Sequence, residues 1–105
     1  MPEFVSGELR IEVDDQGYLV DFTRWNEAVA AALAADEGIA ELTDAHWTVI
    51  GFLRDHQEAK GAAPMIRVLC KGVGMTLQQI YDLFPGGPAK CACRVAGLPR
   101  PDSCV

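Results

Sequence analysis

From residue 22 to residue 97 the apolar residues return every three or four positions, and helix starts and stops break that repeat into short lengths. A chain patterned in this way buries its apolar surface by packing several short helices against one another. In TRWNEAVAAALAADEG, Trp25, Ala28, Val29, Ala32 and Leu33 recur at helical spacing and Gly38 is a natural stop. Thr43 is the expected N-cap of a second helix that aligns Trp47, Ile50 and Leu53 and ends near Gly61. Pro64 suits the first turn of a third, with Ile66, Leu69, Cys70 and Val73 facing inward. Thr76 with Gln79 forms a capping-box pattern ahead of LQQIYDLF. The run PGGP breaks the chain, Pro88 can open a last short helix through about Ala96, and Gly97 ends it.

The two ends differ from this middle. GELRIEVDDQGYLVDF alternates apolar residues around Asp14, Asp15, Gln16 and Gly17, which predicts a β-hairpin with strands near 8–13 and 18–21. At the other end Pro99 and Pro101 bar a regular helix, and a chain end without burial or pairing is mobile. The expected class is α+β. A single domain over 1–105 would comprise a hairpin at 8–21, a helical body at 24–97 and a flexible C-terminal arm at 98–105.

With 105 residues, half of them hydrophobic, the chain can bury one modest core. No apolar stretch approaches the roughly 18 to 20 residues of a membrane span, and MPEFVSGELR lacks the basic-then-apolar order of a signal peptide. The expectation is a cytoplasmic protein, not embedded in a membrane, whose thiols stay reduced unless chemistry demands otherwise. A net charge of −6 argues against a general nucleic-acid binder. Residues 1–59 hold 13 acids against 3 bases, whereas residues 60–105 hold 2 acids against 6 bases. Those bases, Lys60, Arg67, Lys71, Lys90, Arg94 and Arg100, share their half of the chain with all four cysteines. Cations favour thiolates and attract anionic sulfur species. A solvated scatter of charge is the alternative reading.

Cys70, on an apolar helix face, reads as a small hydrophobe. Cys93 falls too late in the last predicted helix to gain from the helix dipole, so a lowered pKa there would have to come from Lys90 and Arg94. Cys91, nearer the helix start, is the more acidic thiol on dipole grounds alone. The two lie about 200° apart around a helix, so only one of them can face a returning arm. Cys104 stands next to last. The 11-residue separation from Cys93 lets the chain extend to roughly 35 Å or fold back to the roughly 5.5 Å of a disulfide, with Gly97 supplying the turn. A thiol on such an arm suits a carrier of sulfur or electrons. Competing readings are a structural disulfide framework, a zinc site from Cys91, Cys93, Cys104 and a histidine, and unremarkable surface thiols. No secretion signal supports the first, and the spacing is unusual for the second.

Other constellations are weaker. His46 and His56 sit ten positions apart and roughly 80° off a shared direction, so they make no metal pair; His46 is expected to help the helix start or pack by Trp47. The helices between Thr43 and Phe84 have helix-turn-helix spacing, yet LQQIYDLF carries no Arg or Lys to neutralise phosphate, which excludes nucleic acid as a partner. No Ser/His/Asp arrangement, phosphate-binding glycine loop or carboxylate pair supports independent turnover, and no cofactor or metal is called for.

LTDAHW, FLRD, PMIRVLCK and above all LFPGGPAKCACRVAGLPRPDSCV resemble the DsrC/TusE/DsvC family of sulfur-relay proteins, from the hairpin to the last residue. The resemblance implies a small α+β fold whose penultimate cysteine enters a partner's active site and carries sulfur; that position is Cys104, and the family's second cysteine is Cys93. Arg94, Lys90 and Arg100 would support these thiols. Cys91 stands where the family pattern has another residue and is an extra thiol. The implied function is a sulfur carrier of dissimilatory sulfur metabolism, holding persulfide or trisulfide sulfur as a protein co-substrate of dissimilatory sulfite reductase or a related sulfur-transfer protein, with a membrane complex that reduces the Cys93–Cys104 disulfide. The presence of both cysteines favours this branch over a TusE-like relay for tRNA 2-thiouridine synthesis. A redox-responsive regulator is the third reading. The junction KGVGMTLQQIYDLFP is shorter than the basic segment typical of the family.

Overall fold

The computed structural model describes residues 3–87 and 91–99. Strands β1 (Glu3–Ser6) and β2 (Leu9–Glu12) pair antiparallel, with Phe4 opposite Ile11 and Val5 opposite Arg10. Gly7 and Glu8 connect them, and Gly7 takes φ +60°, the value that a glycine at the first central position of a tight hairpin turn supplies without strain. The hairpin therefore precedes the expected one at 8–21. The predicted return strand shrinks to a single bridge between Val13 and Leu19, with the Val20 N–H donating to the Glu12 carbonyl at 3.1 Å. Side-chain capping explains the difference. The Asp14 carboxylate accepts the N–H groups of Gln16 and Tyr18, and the Asp21 carboxylate accepts that of Thr23 to open a 3₁₀ turn at Phe22–Arg24. Local bonds of this kind compete with a ladder and leave it too few residues.

Helix α1 (Glu27–Asp36) starts at Asn26, whose side chain accepts the Val29 N–H at 2.9 Å. Its buried face is Val29, Ala30, Leu33 and Ala34, so the expected face is rotated: Ala28 is exposed and Ala32 half-buried. Trp25 precedes the N-cap and does not mark the helix face.

Helix α2 (Asp44–Lys60) runs from Thr43 to Gly61 as expected, with Ile50 and Leu53 fully buried and Trp47 half-buried. His46 takes the third helical position. Its Nδ1 accepts the Thr43 N–H at 3.0 Å, and its Nε2 donates to the Leu83 carbonyl at 2.8 Å, so one ring both caps α2 and ties it to the end of α4 (Leu77–Leu83).

Helix α3 (Ile66–Val73) begins after Met65, and Pro64 lies buried just before that cap rather than in the first turn. Leu69 is fully buried, while Ile66, Cys70 and Val73 are half-buried against the core. The helix packs on α2 closely enough that a Cβ at Gly72 would collide with the Phe52 ring. Thr76 and Gln79 close the expected capping box of α4 at 2.8 and 3.2 Å. The last helical turn is α5 (Cys93–Val95), preceded by a wider π-type turn at Cys91 and Ala92; Pro88, its expected opener, lies outside the described residues. It packs against α1 and α2. The result is the expected α+β class, a helical body with an N-terminal hairpin.

Candidate functional site at the last helical turn

The chain past α5 is turned back by a paired hydrogen-bond motif. The Gly97 N–H donates to the Arg94 carbonyl and the Leu98 N–H to the Cys93 carbonyl, both at 3.0 Å, and Gly97 takes φ +75°. This is the glycine-dependent helix stop in which the residue after the glycine folds back over the last turn. A side chain at 97 would be strained and would also meet the Trp25 ring. Leu98, the first residue of the expected arm, is consequently fully buried.

Cys91 and Cys93 are both fully buried. The reading that the two lie about 200° apart, so that only one can face a returning arm, assumes a regular helix, whereas Cys91 sits in the wider turn ahead of α5. Burial pushes the Cys93 thiol up to about 12. Burial likewise pushes Cys91 up to about 11, offset in part by a hydrogen bond from the Gly86 backbone. Desolvation of the charged form therefore outweighs both the dipole advantage expected of Cys91 and the cationic help expected of Cys93.

Arg94 is occupied elsewhere. Its Nε donates to the Gly17 carbonyl at 2.9 Å, and its Nη1 meets Asp36 at 2.7 Å and Glu37 at 3.4 Å. Two carboxylates absorb its charge, and it fastens α5 to the Asp14–Gly17 turn and to the end of α1. With Gln16, Tyr18 and Glu37 it lines a cleft of about 300 Å³. Tyr18 titrates above its ordinary value, chiefly because it is buried and secondly because Cys93 is near, which places its phenol within electrostatic reach of that thiol.

The same turn is held from its other side. Trp25 Nε1 donates to the Val95 carbonyl at 2.9 Å. Arg54 donates through Nη1 to the Ala96 carbonyl at 2.9 Å and through Nη2 to the Phe22 carbonyl at 3.2 Å. Its guanidinium lies 3.8 Å from the Phe22 ring centre and 4.2 Å from that of Trp25, a stacked arrangement that suits a planar cation. Sequence reasoning passed over Tyr18, Trp25 and Arg54. Trp25 was read there only as part of the first helix's apolar face, because its partner, the Val95 carbonyl, lies 70 positions away in sequence.

Cys104, Lys90 and Arg100 lie outside the described residues. Cys70 is half-buried on α3. Among the described residues no three His, Cys, Asp or Glu side chains gather in a way that could hold a metal ion. Chemically, the site keeps Cys93 as a neutral thiol. With a pKa of about 12, its thiolate fraction at neutral pH is on the order of one in 100,000, and the thiolate is the nucleophile.

A family model described as DsrC-like protein matches residues 5–105. The gamma subunit of dissimilatory-type sulfite reductase from Nitratidesulfovibrio vulgaris (strain Hildenborough) is 43% identical over 94 residues, covering 90% of each chain. Sulfurtransferase TusE from Pectobacterium atrosepticum is 44% identical over 102 residues, covering 90% of this chain and 93% of that one. Among solved structures, the oxidised gamma subunit of dissimilatory sulfite reductase from Archaeoglobus fulgidus superposes with a TM-score of 0.85 at 45% identity, over 99% of this chain and 100% of that one.

Proposed function

The chain belongs to the DsrC-like family, and on that footing we propose that it is a cytoplasmic sulfur carrier that presents sulfur on Cys104 to dissimilatory sulfite reductase. The observation that carries this reading is the extent of the family match, which runs through residue 105 and so takes in Cys104. Cys104 thiolate attacks the sulfane sulfur of a persulfide donor; the donor's S–S bond breaks, its thiolate leaves, and Cys104 persulfide forms. Cys93 is the resolving thiol. Its attack on the Cys104 sulfur of that persulfide forms the Cys93–Cys104 disulfide and expels the carried sulfur as sulfide, and a membrane thiol/disulfide-reducing complex restores both thiols. The burial of Cys93 delays this second step until the turn at Leu98 opens, which protects the loaded carrier in transit. No helix among the described residues is long and apolar enough to cross a membrane, in keeping with a carrier that visits its partners.

Incubation with a persulfide donor should add about 32 Da per sulfur to the peptide containing Cys104, as located by mass spectrometry. Undiminished loading in Cys104→Ser overturns the proposal. The TusE relatives, at comparable identity, support a second reading in which the loaded chain feeds tRNA thiolation. Transfer of labelled sulfur to purified sulfite reductase catalytic subunits favours the first reading, and transfer to a tRNA-thiolating protein the second.

A further inference from the structure

We propose that the outer face of α3, with α4 beside it, is the surface by which the chain docks into an acidic, apolar-floored groove of its sulfite reductase partner, a role that rests on the carrier reading above. Among the described residues six large apolar side chains stay exposed, and four of them belong to α3, its N-cap or α4: Met65, Val68, Leu77 and Tyr81, each 44 to 63% exposed. The two helices pack on each other. From Lys60 to Tyr81 the sequence holds no acid, while Lys60, Arg67 and Lys71 supply three bases. A chain of net charge −6 thus gathers exposed apolar surface and positive charge in one stretch. Apolar side chains rimmed by charge mark an interaction surface.

The fold leaves these cations unused. Arg24 pairs with Asp21, Arg94 with Asp36 and Glu37, and Arg54 serves two carbonyls. Arg67 and Lys71 are exposed and, among the described residues, enter no ion pair. Arg67 stands in the first turn of α3, where a cation opposes the helix dipole, and it repels Lys71 four positions on. That placement costs the helix stability, and nothing inside the described fold offsets it.

The chemistry of the face selects its occupant. A second copy meeting it symmetrically would set Arg67 and Lys71 against their own counterparts. Nucleic acid and anionic membranes call for a denser cationic surface than three bases on a chain of net charge −6. Carboxylates around an apolar groove satisfy both the cations and the apolar side chains. The face also borders the thiol site. The Tyr81 ring lies against Gly87, where a Cβ would stand 3.0 Å from it, and a Cβ on Gly86 would stand 2.9 Å from that of Cys91. A partner seated on α3 and α4 is thereby brought beside the segment that packs on Cys91.

The test is the affinity of the full-length chain for the purified catalytic subunits of dissimilatory sulfite reductase, measured by titration calorimetry at low and at physiological salt. Arg67→Glu and Lys71→Glu should each weaken binding about tenfold at low salt and less at physiological salt, because exposed charges are screened. Val68→Ser should weaken it about fivefold at both, since apolar burial is not screened. Arg10→Glu makes the same change in net charge on the hairpin and should leave the affinity within about twofold. All four side chains are exposed, so the variants should keep the helical signal of the wild type. Wild-type binding that the α3 variants leave unchanged, or that Arg10→Glu weakens equally, overturns the docking face. So does tighter binding to duplex DNA or phosphatidylserine vesicles, or self-association in sedimentation, that the same α3 variants abolish. A wild type that does not bind the subunits at all instead overturns the partner named in the carrier reading, and the face assigned to that partner falls with it.

Discussion

Leu98→Ala tests whether the turned-back chain is what silences Cys93. In the folded protein the rise from the ordinary value of 9.0 to about 12 lowers the thiolate population roughly a thousandfold, before any steric exclusion of a reagent is counted. Leu98 is fully buried immediately after the helix stop, so its truncation removes apolar contacts that hold the turn closed. Leu→Ala changes at such sites cost about 2–5 kcal/mol. If about 3 kcal/mol of that falls on local opening of the turn, the open population rises roughly a hundredfold, since each 1.4 kcal/mol is a factor of ten. The assay is timed alkylation of the fully reduced protein with iodoacetamide at pH 8, read peptide by peptide. In the wild type Cys70, half-buried on α3, should react far ahead of Cys93. In Leu98→Ala the Cys93 rate should rise about a hundredfold while that of Cys70 holds. Equal wild-type rates at Cys70 and Cys93, or no acceleration at Cys93 in a variant that keeps its helical signal, would refute the reasoning.

Arg94→Gln should leave the Cys93 alkylation rate within about twofold and instead lower stability by about 1–3 kcal/mol in urea titration, because Arg94 serves the Gly17 carbonyl, Asp36 and Glu37 rather than the thiol. Gly72→Ala should cost about 1–3 kcal/mol by driving a methyl group into the Phe52 ring, and Phe52→Leu in the same chain should recover part of it. The pH dependence follows from the raised thiol. Below pH 9 Cys93 is neutral in both folded and unfolded chains and its contribution to stability is intact; as the pH climbs from 9 toward 12 only the unfolded thiol ionises, so stability is lost at about 1.4 kcal/mol per pH unit. Urea midpoints of the wild type should therefore fall more steeply between pH 9 and 11 than those of Cys93→Ala, and parallel lines would count against a buried neutral thiol.

Local signals decided the helical body. Thr43 to Gly61 and Thr76 with Gln79 were legible because a cap is a bond between neighbours in sequence, formed wherever the chain folds locally. The hairpin was misplaced for the same kind of reason: Asp14 and Asp21 close their own turns, and a pattern of alternating apolar residues does not reveal which carboxylate will capture the next N–H. The cysteine motif of the last residues was likewise legible as a motif. The state of Cys93 was not. Adjacent cations in the sequence suggested a lowered pKa, yet Arg94 reaches back 77 positions to Gly17, Trp25 reaches forward 70 to Val95, and Leu98 closes over the core. Desolvation depends on everything that surrounds an atom in space, and charge proximity along the chain says nothing of where a long side chain will find its partner, so the chemistry of that thiol was settled only when α5 docked against α1 and α2.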